Sequence, residues 1–443
     1  MRDDKIKIEV TSLAKLVTPY GVRNKKVYNW YYFPHSFSPE IIEFLLNRYN
    51  KMAPKNRLLD PFSGSGTAIL KAVELGLDAV GIDIMPFAVS IGRAKTQIYN
   101  EGDSDKIRAK YIEIKRKALS SKNTTTDLSF ISKVFDQDVV RFLSGLSEFI
   151  LTSDEHYNFL ITWLTRLSSA ASGSIKSGGF TRNASSNNKK SNRYSRVPQV
   201  RKLEEVIVIG DEILESMLSE INAVQITGKA KFIVGDSRDL KSYAHSGGDF
   251  DVVITSPPYP NRQDYTRIFA QELFATYSKE NKDHKDLRYR TLRSHLEARD
   301  PKYDRDTVIP NDLKNLLSKE IEDLLKCHEG LQEIKKLQID GYKRKPIDSR
   351  IPKMIVGYFE DIFILLESLK SVCNDKAEIC IIVANVRHSG KVIECDSIIE
   401  QLGAMAGYVH VETLIARTKG NSSQQMKYLQ REPLRESIVV LRR

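Results

Sequence analysis

The chain has 443 residues, 41% of them hydrophobic and 28% charged, the make-up of a folded globular chain and not of a disordered one. No run of about eighteen apolar residues is present, and the start, MRDDKIKIEVTSLAK, lacks an apolar signal core. No membrane-spanning segment is therefore expected, and the cytoplasm is the expected compartment. Lys and Arg outnumber Asp and Glu by 68 to 57, a net charge of +11. Such an excess suits a polyanionic partner only if it is concentrated somewhere.

In chain order, the first clear element is a helix start in FPHSFSPE, with Ser38 as cap, Pro39 at the first helical position and an apolar face from Ile41 to Leu46. Arg57 to Leu59 lead as a strand into Asp60. A Gly/Ser turn from Phe62 to Gly66 then opens a helix, Ala79 to Ile84 is a second strand, and a helix follows to about Arg93. Strand, helix, strand, helix argues for a parallel sheet covered on both faces.

From about Asn100 to Thr227 the pattern is mostly amphipathic helix, broken by the loop GGFTRNASSNNKKSNRYSRVP. Between Ala171 and Lys202 stand Lys176, Arg182, Lys189, Lys190, Arg193, Arg196, Arg201 and Lys202, with no acidic residue. Strands resume at KFIVGDSRDL and DFDVVITSPPY. A second irregular stretch, 276–350, holds an arginine-rich segment (Arg288–Arg305) and one good helix. The chain closes with a helix at Ile355–Leu369, a strand at Ala377–Val386, a helix at Asp396–Gly403 and two strands near enough to form a hairpin.

One α/β core interrupted twice follows from this. Its parts are 1–100, 228–275 (with the candidate catalytic loop) and 351–443. The interruptions are 101–227, a helical insertion with the basic loop, and 276–350, a candidate for target recognition.

Three constellations carry chemistry. Asp60-Pro61-Phe62-Ser63-Gly64-Ser65-Gly66-Thr67 ends a strand and starts a helix, where glycines allow a ligand close to the backbone and free N–H groups face a carboxylate. GxG alone is weak, since many strand-to-helix turns have it, and no GxxxxGK[ST] supports a phosphate loop. Asp83, ending the next strand, suits ribose hydroxyls, or else caps a helix. Asp236 ends another strand on the same edge and suits an adenine amino group.

Ser256-Pro257-Pro258-Tyr259 follows the strand 251–254. Two prolines there forbid helix and stiffen the loop, aiming a hydroxyl, a carbonyl and a ring at one point. A Pro-rich docking ligand is the alternative, but such ligands lie in polar tracts and not behind buried strands. The cysteines (Cys327, Cys373, Cys380, Cys395) form no CxxC and no Cys/His spacing, so reduced structural thiols and no metal are expected.

DPFSGSGT, GID and TSPPY, in that order, resemble the amino-methyltransferases of bacterial restriction-modification systems. FPHSFSPE and the ending NSSQQ…LRESIVVL are similar to members as well. The likeness covers about half the chain and leaves out both insertions. It implies a Rossmann-like, S-adenosylmethionine-dependent methyltransferase fold, a seven-stranded, mostly parallel sheet whose last strand is antiparallel.

Carried over, the resemblance implies cofactor contacts from Phe37, Asp60, Pro61, Phe62, Gly64, Ser65, Gly66, Thr67, Asp83, Ile84, Asp236 and Ser237. It implies catalysis by Ser256, Pro257, Pro258 and Tyr259. Serine at the first loop position goes with cytosine N4 in that family, aspartate with adenine N6. Direct transfer needs no enzyme nucleophile, and the Pro-Cys pair of carbon-5 methylation is missing.

Duplex DNA is then the expected partner, with base flipping and phosphate contacts from Arg182, Lys189, Lys190, Arg193, Arg196 and Arg262. A cognate endonuclease is a candidate partner, and a monomer is favoured. The rival readings are adenine-N6 methylation, RNA base methylation and a non-catalytic DNA-binding protein on the same fold.

Overall fold

The computed structural model describes residues 6–121, 130–152, 156–177, 180–183, 200–277, 280–300, 308–420, 430 and 432–443. Its strands in chain order are β1 (Lys7–Glu9), β2 (Arg57–Asp60), β3 (Asp78–Asp83), β4 (Ser174–Ser177), β5 (Phe180–Asn183) and β6 (Ala230–Val234). They continue with β7 (Phe250–Thr255), β8 (Cys373–Ala384), β9 (Val386–His388), β10 (Lys391–Ile393), β11 (Val409–Lys419) and β12 (Leu434–Arg442). Eight form one sheet in the order β1-β11-β12-β8-β7-β2-β3-β6, and the other four make the hairpins β4-β5 and β9-β10.

The central strands are apolar on consecutive positions because both faces of the sheet are covered. Side chains alternate between two cores: Leu58, Val252, Ile254, Cys380, Ile382, Ile438 and Val440 go to one, and Leu59, Val253, Ile379, Ile381, Val383, Val439 and Leu441 to the other. The helices Gln137–Leu151, Tyr157–Ala171 and Leu203–Leu218 of the first insertion pack on the first face. The helices Arg350–Lys370 and Cys395–Met405 cover the second, joined by one face of the long helix Asn311–Gln338. The first insertion therefore shares a core with the sheet.

Every pairing in the sheet is parallel except the two made by β12. The expectation of an antiparallel last strand and a closing hairpin agrees with this; the strand count does not. The sheet has eight strands and not seven, because β1 adds itself in parallel to β11, with Ile8 opposite Leu414. Three residues are too few to show an alternating pattern, so β1 is invisible in sequence.

A second difference is the hairpin β4-β5 at the head of the basic loop, where Gly178-Gly179 is the turn signal in sequence. A third is Ser38: its hydroxyl goes to the Glu40 carboxylate, and no side chain caps the helix Glu40–Arg48.

The chain builds outward from β2 through β3 to β6, and from β7 in the opposite direction through β8. Strand order thus reverses between β2 and β7, where an open α/β sheet leaves a crevice at its carboxyl edge. Asp60 ends β2 and Thr255 ends β7, so both candidate loops leave the sheet at that crevice. No helix among the described residues is long and apolar enough to cross a membrane. Cys373, Cys380 and Cys395 are buried, Cys327 is exposed, and all four are free thiols.

Candidate active site

The bend after β2 is built around Asp60, which is 1% exposed. Its Oδ1 accepts the Phe62 N–H at 3.0 Å and the Thr255 hydroxyl at 2.7 Å. The second of these bonds ties the bend directly to the strand that precedes Ser256.

Gly64 and Gly66 take φ of +50° and +80°, a region in which a Cβ is strained. At Gly66 a Cβ would also lie 2.8 Å from the Phe232 ring and 3.0 Å from Gly92 Cα. Asp83 accepts the Gly64 N–H on Oδ2 and the Met85 N–H on Oδ1, both at 2.8 Å. It holds the bend as well as facing the crevice.

A single cleft gathers Phe37, Asp60, Pro61, Phe62, Gly64, Ser65, Thr67, Asp83, Ile84, Asp236 and Ser237. Of the twelve residues expected at the cofactor, only Gly66 is off its wall, for the packing reason just given. Phe33, Met85 and Leu292 add apolar lining, and Ser36, whose hydroxyl lies 3.0 Å from that of Thr67, fixes the segment with Phe37 to the helix start.

Burial raises the Asp60 carboxyl to about 7 and Asp83 to about 6. Asp60→Asn would keep the Oδ1 acceptor and delete the buried charge. Since the folded-state value is raised, the neutral form's contribution to stability is full below the ordinary 3.8 and is lost as pH climbs through about 7. Denaturant midpoints of the wild type should therefore fall across that window relative to Asp60→Asn. Parallel curves would show that the carboxyl titrates as it does in the unfolded chain.

Ser256 and Pro258 line the same cleft as the glycine bend. Ser256, Pro257 and Tyr259 also line a second cavity, with His35, Ser36, Phe37 and Tyr265 common to both. The Tyr259 hydroxyl is 3.4 Å from Ser256 Oγ and donates to Glu436 Oε1 at 3.3 Å. The next residue is pinned, because His388 Nε2 donates to the Pro260 carbonyl at 2.7 Å.

Burial holds His388 down at about 4, so this is a neutral imidazole. His35 is likewise held at about 4, by burial and then by the Lys176 charge. Its Nδ1 is buried with no hydrogen-bond partner among the described residues.

The sequence reading missed the ion network beneath the cleft. Arg238, 2% exposed, grips both oxygens of Asp236 and reaches Asp361 at 2.7 Å and the Arg290 carbonyl at 2.6 Å. Asp361 is held from its other side by Arg293, through Nε at 3.0 Å and Nη2 at 2.7 Å. Asp236 thus lines the cleft with its carboxylate already bound to a cation.

Several basic residues in the stretches 176–202 and 288–305 have partners within the chain. Arg293 belongs to this network. Arg288 pairs with Asp264 and Glu297, and Arg299 covers the Tyr289 ring. Lys176, half-buried, pairs with Glu272, which also accepts the Tyr31 hydroxyl at 2.9 Å. Lys202 pairs with Asp136, and Arg201 donates to the Ala170 carbonyl. Residue counts along a chain cannot tell a solvated cation from one paired with a carboxylate distant in sequence.

Arg262 is exposed at positive φ beside the loop, its N–H bonded to the Ser294 carbonyl. Arg182 lies on β5, and Lys189, Lys190, Arg193 and Arg196 lie outside the described residues.

Asp264, His295 and Glu297 bring possible ligand atoms within 4.8 Å of one another. The Arg288 guanidinium is already bonded to both carboxylates, so the cluster is an ion-paired group around an arginine.

No protein-family model matches the chain. An rRNA methyltransferase, aviRa from Streptomyces viridochromogenes, is 12% identical over 92% of this chain and 85% of that one. Its TM-score of 0.29 is too low to argue from. A stretch of 112 residues, 25% of this chain and 20% of the relative, is 29% identical to the type II methyltransferase M.MjaII of Methanocaldococcus jannaschii. Much longer likenesses exist. The chain is 26% identical to the type II methyltransferase M.AvaI of Nostoc sp. over 99% of its own length and 91% of that protein. It is 28% identical to the type II methyltransferase M.BsoBI of Geobacillus stearothermophilus over 96% of its own length and 87% of that protein. Along nearly all of its length, then, the chain is similar to proteins named type II methyltransferases.

Proposed function

We propose that this chain is a site-specific DNA methyltransferase that methylates an exocyclic amino group, the N4 of cytosine, in duplex DNA with S-adenosylmethionine as donor. The observation that carries the reading is the junction of two loops: Thr255 bonded to Asp60 at 2.7 Å, and Ser256 on the wall of the same cleft as the glycine bend.

The lining fits this cofactor. Phe33, Phe37, Phe62, Ile84 and Met85 suit an aromatic base and the carbon chain that flanks a sulfonium, and Asp83 and Asp236 suit ribose hydroxyls and an amino group. Ser63 Oγ, on the bend, has no hydrogen-bond partner among the described residues. When bound, S-adenosylmethionine supplies an electrophilic methyl group.

The chain's own residues do the rest. An aromatic amine is a poor nucleophile because its lone pair is delocalised into the ring. The Ser256 hydroxyl and the Pro257 carbonyl each accept one of its N–H groups, which favours a pyramidal nitrogen with its lone pair facing the cleft. The stiff diproline supplies alignment, from which most of the rate would come. The target base has to leave the duplex to reach this loop, and the Tyr259 ring offers a face for it to stack on. Arg262 and the basic loop near 182–196 are the phosphate contacts we propose.

The test is transfer of labelled methyl from S-adenosylmethionine to unmodified genomic DNA by the purified protein, followed by nuclease digestion and mass analysis of nucleosides. N4-methyldeoxycytidine is expected. N6-methyldeoxyadenosine alone would overturn the base assignment, and label in RNA but not DNA would overturn the substrate.

A further inference from the structure

The second cavity holds an arrangement that methyl transfer as such does not require. Because β12 runs antiparallel, its first residues lie at the carboxyl edge of the sheet, with Glu436 opposite Ala384 on β8 and Arg417 on β11. Glu436 is 3% exposed, and its Oε2 is bonded to both Arg417 and Lys419 while Oε1 accepts from Tyr259. One buried carboxylate thus anchors two cations, which together leave the trio with a positive charge. Arg417 and Lys419 stand two apart on one strand, keep side-chain exposures of 31% and 39%, and line the same cavity as Ser256, Pro257 and Tyr259.

We propose that Arg417 and Lys419 are the base-reading residues and that they select cytosine over adenine. The proposal rests on the reading that the 256–259 loop receives an extruded amino base.

Beside its amino group cytosine presents a ring nitrogen and then a carbonyl, two acceptors in a row. Adenine presents one ring nitrogen and then a C–H. Arginine and lysine are donors only. With cytosine held by its amine at Ser256 and Pro257, two cationic donors meet two acceptors. With adenine, one donor gives up its water to face a C–H, and a polar group left unpaired in this way is what discriminates strongly between similar ligands. Glu436 directs its oxygens to the cations and Tyr259, so it orients the readers. Asn261 and Gln263, on the same wall, carry amides that can donate or accept and so do not discriminate.

The full-length protein is assayed for methyl transfer to unmodified genomic DNA, with nucleoside analysis, as wild type and as Arg417→Met, Lys419→Met and Arg417→Lys. Each loss of a donor should lower kcat/KM for cytosine methylation by roughly 10- to 100-fold. The dissociation constant for S-adenosylmethionine should stay at its wild-type value, and Arg417→Lys should regain part of the rate. Lys419 is the more exposed of the pair, so Lys419→Met decides the matter if Arg417→Met does not fold. Wild-type rates in Lys419→Met and in any folded Arg417→Met would overturn the proposal, as would N6-methyladenine as the wild-type product. A wild type that binds S-adenosylmethionine but labels no DNA would instead refute the methyltransferase reading beneath it.

Discussion

Ser256→Ala will lower the methyl-transfer rate by about 100- to 1,000-fold, the size of effect seen when one preorganised hydrogen-bonding group is removed from a reacting centre. The hydroxyl is one of two acceptors for the amine, and without it the Pro257 carbonyl is left alone to draw the nitrogen out of conjugation. Among the described residues the one side-chain hydrogen-bond partner of its hydroxyl is that of Tyr259, at 3.4 Å. Unfolding midpoint and S-adenosylmethionine affinity should therefore stay where they are, with the loss appearing in the single-turnover rate constant of methyl transfer. A Ser256→Ala protein with the wild-type rate would dismantle the assignment of this loop.

Arg238→Met will destabilise the folded protein by about 3–5 kcal/mol, the usual effect of removing one partner from a buried ion pair. The guanidinium is bonded to Asp236, Asp361 and the Arg290 carbonyl at 2.6–2.9 Å, and methionine fills its space without replacing any of these bonds. Asp361 keeps Arg293, while Asp236 loses the side chain that held both of its oxygens. Adding Asp236→Asn to Arg238→Met should recover part of the loss by removing a buried charge that the arginine no longer balances. Urea midpoints measure both variants. A shift below about 1 kcal/mol for Arg238→Met would show that solvent or rearrangement replaces the arginine.

Much of this molecule is legible in short stretches of chain. β2, β3, β6 and β7 end at Asp60, Asp83, Val234 and Thr255, within two residues of where the sequence puts them, since an apolar run stopped by Gly, Asp or Pro is a local signal. The helices of the first insertion are legible for the same reason. β1 is not, because three residues become a strand only through the edge that β11 offers them. Neither is the structural role of Lys176, Arg288 and Arg293, whose partners Glu272, Asp264 and Asp361 are far from obvious in a linear reading.

The sequence by itself determined the chemistry at the ends of two strands: glycines and acids after one, a hydroxyl and two prolines after the other. These depend on backbone conformations that neighbouring residues impose. What only the tertiary structure decided is which groups meet across the sheet. Thr255 reaches Asp60 because β2 and β7 are adjacent, and Glu436 reaches Tyr259 because β12 runs against its neighbours and begins at the site. Strand order and direction are settled by burial of both faces of the whole sheet, a sum over distant residues to which no single segment holds the key.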